Sequence, residues 1–272
     1  MTSGVLLFAY NNEQIDYVAQ ACFLAKRVKE YLNLPTTLVT DDKKRVEEFY
    51  DSNVFDSIVV SDIQRKNKKT YHDGSLSKKV LDFKNFNRSD AYDVTPYDKT
   101  LVMDTDYIIS NDLLAKCFTS NNNLMMYNNS MDVSGWREES EFEFISETSI
   151  KFYWATCVYF TKDLQNKTFF NLIKHIKENY NHYRSLYQIT STVFRNDYAF
   201  SIAAHIMGHV KELPGKMIYS THKDILQKID NSSIKLLVEK QDRVGEYTLL
   251  KSKGVNLHIM NKFSLNREVT NA

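Results

Sequence analysis

Five consecutive apolar residues, 5–9, end in Tyr10, Asn11 and Asn12, as a fully buried strand does where it meets a loop. The spacing then changes. Ile15, Val18, Ala19, Cys22, Ala25, Val28 and Leu32 recur at intervals of three and four, which predicts a helix over 13–32. Asp16 stands near its start, where the helix dipole favours a carboxylate. Residues 36–40 read as the next strand after Pro35, Asp41 and Asp42 open a short charged helix to Tyr50, and residues 57–61 give a third strand. Strand and helix alternating in this way predict an α/β fold with a mostly parallel central sheet and helices on both faces.

Residues 64–76, with Arg65, Lys66, Lys68, Lys69, Asp73 and Gly74, are expected to form a polar, basic loop. The spacing of Val80, Leu81, Phe83 and Phe86 predicts helix after it. A fourth buried strand, 100–103, closes on Asp104, Thr105 and Asp106, and a second apolar run, 107–109, follows at once. Further strands are expected at 124–127 and 152–160, separated by an acidic loop at 138–147. Helix is expected over 162–187 and 198–207, and four short strand-like runs over 216–261. No linker or internal repeat divides the chain.

Composition narrows the function classes. With 272 residues, 43% of them hydrophobic and 25% charged, the chain has the make-up of a folded domain rather than of a disordered tail. Lys+Arg 35 against Asp+Glu 34 leaves a net charge of +1, so no global field attracts a polyanion and any nucleic-acid contact needs a local patch. The 7 glycines are too scattered for the G-x-G-x-x-G or P-loop phosphate cradles. Cys22, Cys117 and Cys157 sit in apolar stretches, which fits buried thiols in a reducing compartment. No basic leader or cleavage site marks the N-terminal stretch as a signal peptide, and no apolar run approaches a membrane span, so a cytoplasmic protein is expected.

Two aspartates one residue apart at the carboxyl end of a buried strand sit where α/β sheets bind ligands. Asp104 and Asp106 are therefore candidate ligands of a hard divalent cation. Side chains alternate along extended backbone, so a turn must begin here if both carboxylates are to meet one ion. A D-x-D also arises by chance about once in a chain of this size, which leaves a solvated strand end as the bland alternative.

The order of apolar strand, D-x-D, second apolar run and short helix resembles the metal-binding signature of GT-A glycosyltransferases, above all their glycogenin-like, retaining branch. Other matches fall in the same order: Asn11 after the first strand, Arg88 sixteen positions before the first Asp, Asn196 and Asp197 opening an apolar helix, and His258 on a late strand. The resemblance covers residues 4–262. It implies a single GT-A (Rossmann-like) domain over 1–272, with a nucleotide-binding half (1–110) and an acceptor and metal-completing half (111–272) that includes a smaller C-terminal acceptor-side region.

The resemblance also implies chemistry: transfer of a sugar from a nucleotide diphosphate sugar, expected to be a UDP-sugar, to a hydroxyl with retention. A divalent cation, Mn²⁺ or Mg²⁺, would neutralise the leaving diphosphate. By resemblance Asp104, Asp106 and His258 are the metal ligands, Asp104 also meeting the ribose, and one imidazole among oxygens leans towards Mn²⁺. Tyr10, Asn11, Asn12 and Thr105 are donor-binding candidates, Tyr10 by stacking on the base. Arg88 would neutralise the diphosphate or hold the sugar, with Asp90 orienting it, and Lys262 would reach the phosphates. Asp197 would face the donor sugar; its plain alternative is a helix N-cap, and that of His258 a core histidine.

The sequence departs from the pattern at Trp154, Ala155 and Thr156, where an Asn-x-Gly is usual, and in lacking the terminal Lys-Pro-Trp. Other chemistries fit less well. His205 and His209 have zincin spacing, but Ile206 replaces the necessary Glu. A haloacid-dehalogenase-type phosphatase would place the aspartate pair on its first strand, and a sugar-nucleotide pyrophosphorylase would need a Gly-rich first loop. Lys174, His175, Lys177, Tyr180, His182, Tyr183, Arg184 and Tyr187 interleave cations with aromatic rings, as an amphipathic surface helix or a contact for unstacked bases would. Small stand-alone enzymes that this chain resembles occur in tailed bacteriophages, where some glycosylate hydroxymethylated pyrimidines in the phage DNA. A modified DNA base is therefore the alternative acceptor to a saccharide, and a catalytically inactive sugar-nucleotide-binding protein the alternative to an enzyme.

Overall fold

The computed structural model describes residues 1–62, 67–84, 87–146 and 149–270. Strand β1 (Ser3–Phe8) leads into helix α1 (Tyr17–Leu32), which starts after Asp16 because that carboxylate accepts from the Ala19 N–H at 2.9 Å. Strand β2 (Thr36–Thr40), helix α2 (Lys43–Phe49), capped by Asp42, and strand β3 (Ser57–Val60) follow as their patterns predict.

The next stretch differs from its expected loop and helix. Strands β4 (Asn67–His72) and β5 (Lys78–Phe83) pair as an antiparallel hairpin, in which Lys69 lies opposite Leu81 and Tyr71 opposite Lys79. Residues directly opposite share a face, so Lys69, Tyr71, Leu81 and Phe83 all lie on one side. Tyr71 and Leu81 are buried there. A short apolar run fits helix or strand equally well, and here the backbone pairing of β4 with β5 decides it. Arg65, Lys66 and Phe86 lie outside the described residues.

A short helix α3 (Ala91–Val94) precedes strand β6 (Lys99–Met103), the predicted D-x-D strand, and β7 (Tyr107–Ile108) carries the second apolar run. Helix α4 (Lys116–Thr119), β8 (Leu124–Tyr127), β9 (Ser130–Asp132) and β10 (Trp154–Thr161) come next. The long helix expected over 162–187 is two, α5 (Leu164–Glu178) and α6 (Tyr180–Leu186), because Asn179 leaves helical geometry between them. Helix α7 (Asn196–Met207) and β11 (Lys211–Glu212) lead to five strands rather than the four expected: β12 (Met217–Ser220), β13 (Ile225–Asp230), β14 (Ser233–Lys240), β15 (Arg243–Lys253) and β16 (Leu257–Ile259). Helix α8 (Lys262–Thr270) ends the described chain.

The central sheet has the order β11-β8-β10-β6-β1-β2-β3, and only β10 runs against the rest. Alternation along β1 supplies both cores. Val5, Leu7 and Ala9 face α1 on one side, while Leu6, Phe8 and Tyr10 join α5 and α7 on the other. The chain moves outward from β1 to β3 and then returns to the other side of β1 as β6, which puts the topological switch between β1 and β6. A crevice at the carboxyl ends of these two strands follows from that order. A second sheet, β7-β16-β12-β9, closes over the end of β6, and β13, β14 and β15 form a meander beside α8.

Candidate functional site

At the end of β6 the backbone turns: the Tyr107 N–H donates to the Asp104 carbonyl at 3.1 Å, and the Asp104 N–H is held by the Thr156 carbonyl of β10 at 2.8 Å. The alternation of the strand is broken here, and both carboxylates come to one place. The Ile259 N–H donates to the Asp106 carbonyl at 2.9 Å, which brings β16 and its His258 against the turn. Ligand atoms of Asp104, Asp106 and His258 all lie within 4.8 Å of one another, the only group of three or more metal-suited acidic, His or Cys side chains among the described residues. The donor set fits a divalent cation: two carboxylates and one imidazole, whose Nδ1 is buried and has no hydrogen-bond partner among the described residues.

Cations of the chain already attend these carboxylates. Arg88, buried, pairs with Asp104 and donates to the Ala155 carbonyl. Lys262, the first residue of α8, pairs with Asp106, and His258 Nε2 lies 3.1 Å from the same carboxylate. Burial raises the Asp106 carboxyl, but Lys262 and His258 outweigh it and hold the group well below the usual carboxylate range. Burial likewise pulls the Arg88 guanidinium down.

Asp197 stands in the first turn of α7 without capping it. Its Oδ1 accepts from the Ala155 N–H at 3.0 Å and its Oδ2 pairs with Arg195 at 2.8 Å. Burial opposes its ionisation, yet Arg195, the Ala155 N–H and Arg88 together lower it. Ala155 thus joins Asp197 to Arg88 through its two backbone groups. Trp154 beside it stands edge-on to His258, with ring centroids 6.4 Å apart, and packs on Phe152 and Tyr219. The residues that depart from the sequence pattern are therefore those that wall the site.

Other expected donor contacts are engaged in the scaffold. Asn11 accepts from the Val18 N–H at 2.9 Å and donates to Tyr50, while Asn12 accepts from Gln14 and Ile15 and donates to the Asp82 carbonyl at 3.0 Å. Tyr10 is only 3% exposed, so neither ring face is open for stacking. Thr105 donates to buried Gln20 at 3.3 Å. Asp90 does not orient Arg88: the turn Asn87–Asp90 sends Arg88 inwards and Asp90 to Lys174, 3.3 Å away on α5.

The proposed nucleic-acid surface is weakened in the same way. Lys174 pairs with Asp90 and Asp93, Lys68 pairs with Asp82 at 2.6 Å, and Tyr180 is buried with its hydroxyl facing the Ser191 and Val193 carbonyls. No helix among the described residues is long and apolar enough to cross a membrane. The sequence pattern does not mark Arg195, nor the backbone role of Ala155 between Asp197 and Arg88. Arg195, two positions before Asp197, was the one signal available.

No protein-family model and no curated protein sequence matches the chain. Solved structures do. The galactosyltransferase LgtC, in complex with donor and acceptor sugar analogues, superposes with a TM-score of 0.51 over 77% of this chain and 72% of its own, at 14% identity. The glycosyltransferase GlyE of Streptococcus pneumoniae TIGR4 gives 0.47 at 15% identity over 78% of this chain and 46% of its own. Mouse xyloside xylosyltransferase 1 gives 0.46 at 9% identity over 78% and 84%. The chain has the GT-A fold seen in the galactosyltransferase.

Proposed function

We propose that the protein is a metal-dependent glycosyltransferase that moves a sugar from a nucleotide diphosphate sugar to a hydroxyl of a saccharide. One observation carries this: Asp104, Asp106 and His258 converge within 4.8 Å at the switch point of the sheet, with Arg88 and Lys262 on their carboxylates. Asp104, Asp106 and His258 would hold Mn²⁺ or Mg²⁺, which when bound supplies a Lewis acid for the diphosphate charge.

In the reaction the bond from the sugar's anomeric carbon to the phosphate oxygen breaks and its electron pair stays on the diphosphate. The acceptor oxygen bonds to the carbon and gives up its proton to the oxygen of the departing diphosphate, which carries the electron pair of the broken bond. Arg88 and Lys262 would neutralise charge that grows on the diphosphate, and Asp197 would orient sugar hydroxyls and stabilise positive charge at the anomeric carbon. The loop after β1 is a scaffold for the nucleoside end rather than a set of base contacts. A UDP-sugar donor and retention are carried by the sequence resemblance.

Thermal unfolding with UDP, GDP, ADP, CDP and dTDP, each with and without Mn²⁺, tests the donor. One of them should stabilise the protein only when the metal is present; no metal-dependent stabilisation by any would end this reading. Metal-dependent release of free sugar from the matching donor separates an enzyme from a binding protein.

A further inference from the structure

His258 turns Nε2 towards Asp106, 3.1 Å away, so Nε2 is the nitrogen that an ion shared with the two carboxylates would meet. A histidine that ligates a metal is as a rule held by a hydrogen bond at its other ring nitrogen, which fixes the plane of the ring. Here Nδ1 is buried and has no hydrogen-bond partner among the described residues. Packing must set the ring instead.

Two aromatic side chains supply that packing. Tyr219 on β12 stands in register with His258 on β16 in a parallel pair. Trp154 packs on Tyr219 with ring centroids 5.2 Å apart and stands at 85° to the imidazole, 6.4 Å away, within the range of attractive edge-to-face pairs. Phe142 at 4.9 Å and Phe152 at 5.4 Å also pack on the indole. The indole is 2% exposed, out of reach of a substrate, and its N–H has no hydrogen-bond partner among the described residues.

An irregularity in β10 turns Trp154 this way. Trp154 is level with Tyr127 of β8 and Val158 with Met126, so residues 155–157 form a bulge. Strict alternation would place Trp154 on the face of Val158 and Phe160, towards α5 and α7. The bulge moves it to the face of Cys157 and Tyr159, where Tyr219 also packs. The same bulge presents the Ala155 backbone to Arg88 and Asp197 and the Thr156 carbonyl to the Asp104 N–H.

We propose that Trp154 is a positioning residue for the metal. It fixes the plane of His258 by ring packing, in place of the hydrogen bond that usually does so, and thereby sets the affinity of Asp104, Asp106 and His258 for a divalent cation. This rests on the metal-dependent reading. Trp154 acts through His258, so its loss matters only while the imidazole is there.

Mn²⁺ is titrated into the protein, alone and with the nucleoside diphosphate that stabilises it most, and the free ion is followed by electron paramagnetic resonance. Trp154→Leu should lower Mn²⁺ affinity about tenfold in the wild-type background. In a His258→Ala background the same change should cost no more than about twofold. Trp154→Phe, which removes no hydrogen bond made among the described residues, should show a smaller loss with the same dependence on His258, and it replaces the leucine variant if that one does not fold. Unchanged affinity in the leucine variant, or in the phenylalanine variant where only that one folds, would overturn the inference and leave the metal site standing. Equal loss in the two backgrounds would also overturn it, by making Trp154 part of the general scaffold. A wild type that holds no Mn²⁺ in either condition would end the metal reading and the inference with it.

Discussion

Asp106 is 3% exposed and touches both Lys262 and His258, so its charge is fixed by the fold before any ligand arrives. Removing it leaves a partly buried ammonium without its counter-charge and takes from the buried imidazole of His258 its hydrogen-bond partner. Asp106→Ala should therefore abolish metal-dependent stabilisation by nucleotide and lower turnover by about 100-fold or more, the scale at which one electrostatic group at a reacting centre is felt. His258→Ala should weaken both and abolish neither. Full activity in the aspartate variant, measured as sugar release, would remove this site from the mechanism. At this scale the sequence was informative: Asp104, Asp106, Arg88, His258 and Lys262 stood in a recognisable order, and the structure brings all five together. Tyr10, Asn11 and Asn12 show the limit. Residue type marks an amide or a ring as capable of contact, but only the local hydrogen bonds show that helix α1 and the hairpin use the two amides.

Elements decide which of two faces a residue shows, and there the sequence was weaker. Lys68 and Lys69 are indistinguishable as neighbours in a basic run; pairing with β5 sends one to Asp82 and the other to the opposite face, beside Tyr71 and Phe83. That pairing is long in effect but short in signal, because the apolar residues of β5 also fit a helical turn. Strand β1 carries a comparable demand. A Cβ on Gly4 would stand 2.3 Å from the Tyr97 ring, whose hydroxyl receives a hydrogen bond from Thr37 of β2 at 2.8 Å. No rotamer of an added methyl relieves this, so the ring or the strand must move. Gly4→Ala should destabilise the protein by about 1–3 kcal/mol, read as a lower midpoint in urea with an unchanged slope. An unchanged midpoint would mean that Tyr97 can swing away at no cost.

The whole molecule assembles one site from distant segments. Arg88 and the turn at Asp104 and Asp106 belong to the part of the chain that builds the parallel strands, whereas Asp197, His258 and Lys262 arrive from the later part. Ala155, on the one strand that runs against the others, links the two contributions by donating to Asp197 and accepting from Arg88. The parallel order was legible because each strand and helix was separately periodic; β10 was legible as a strand but not as the antiparallel member that positions Asp197. On the proposed function, this division would make donor binding and transfer separable. Asp197→Asn keeps an acceptor for the Ala155 N–H and removes the negative charge that faces Arg195 and that, on the proposed function, would face the sugar. Metal-dependent nucleotide affinity should then stay within about threefold of the wild type, while turnover falls by about 100-fold, the loss appearing in kcat rather than in KM for the donor. Steady-state kinetics beside nucleotide titration would show the split. Normal turnover with a lower Tm would instead confine Asp197 to bracing α7 against β10.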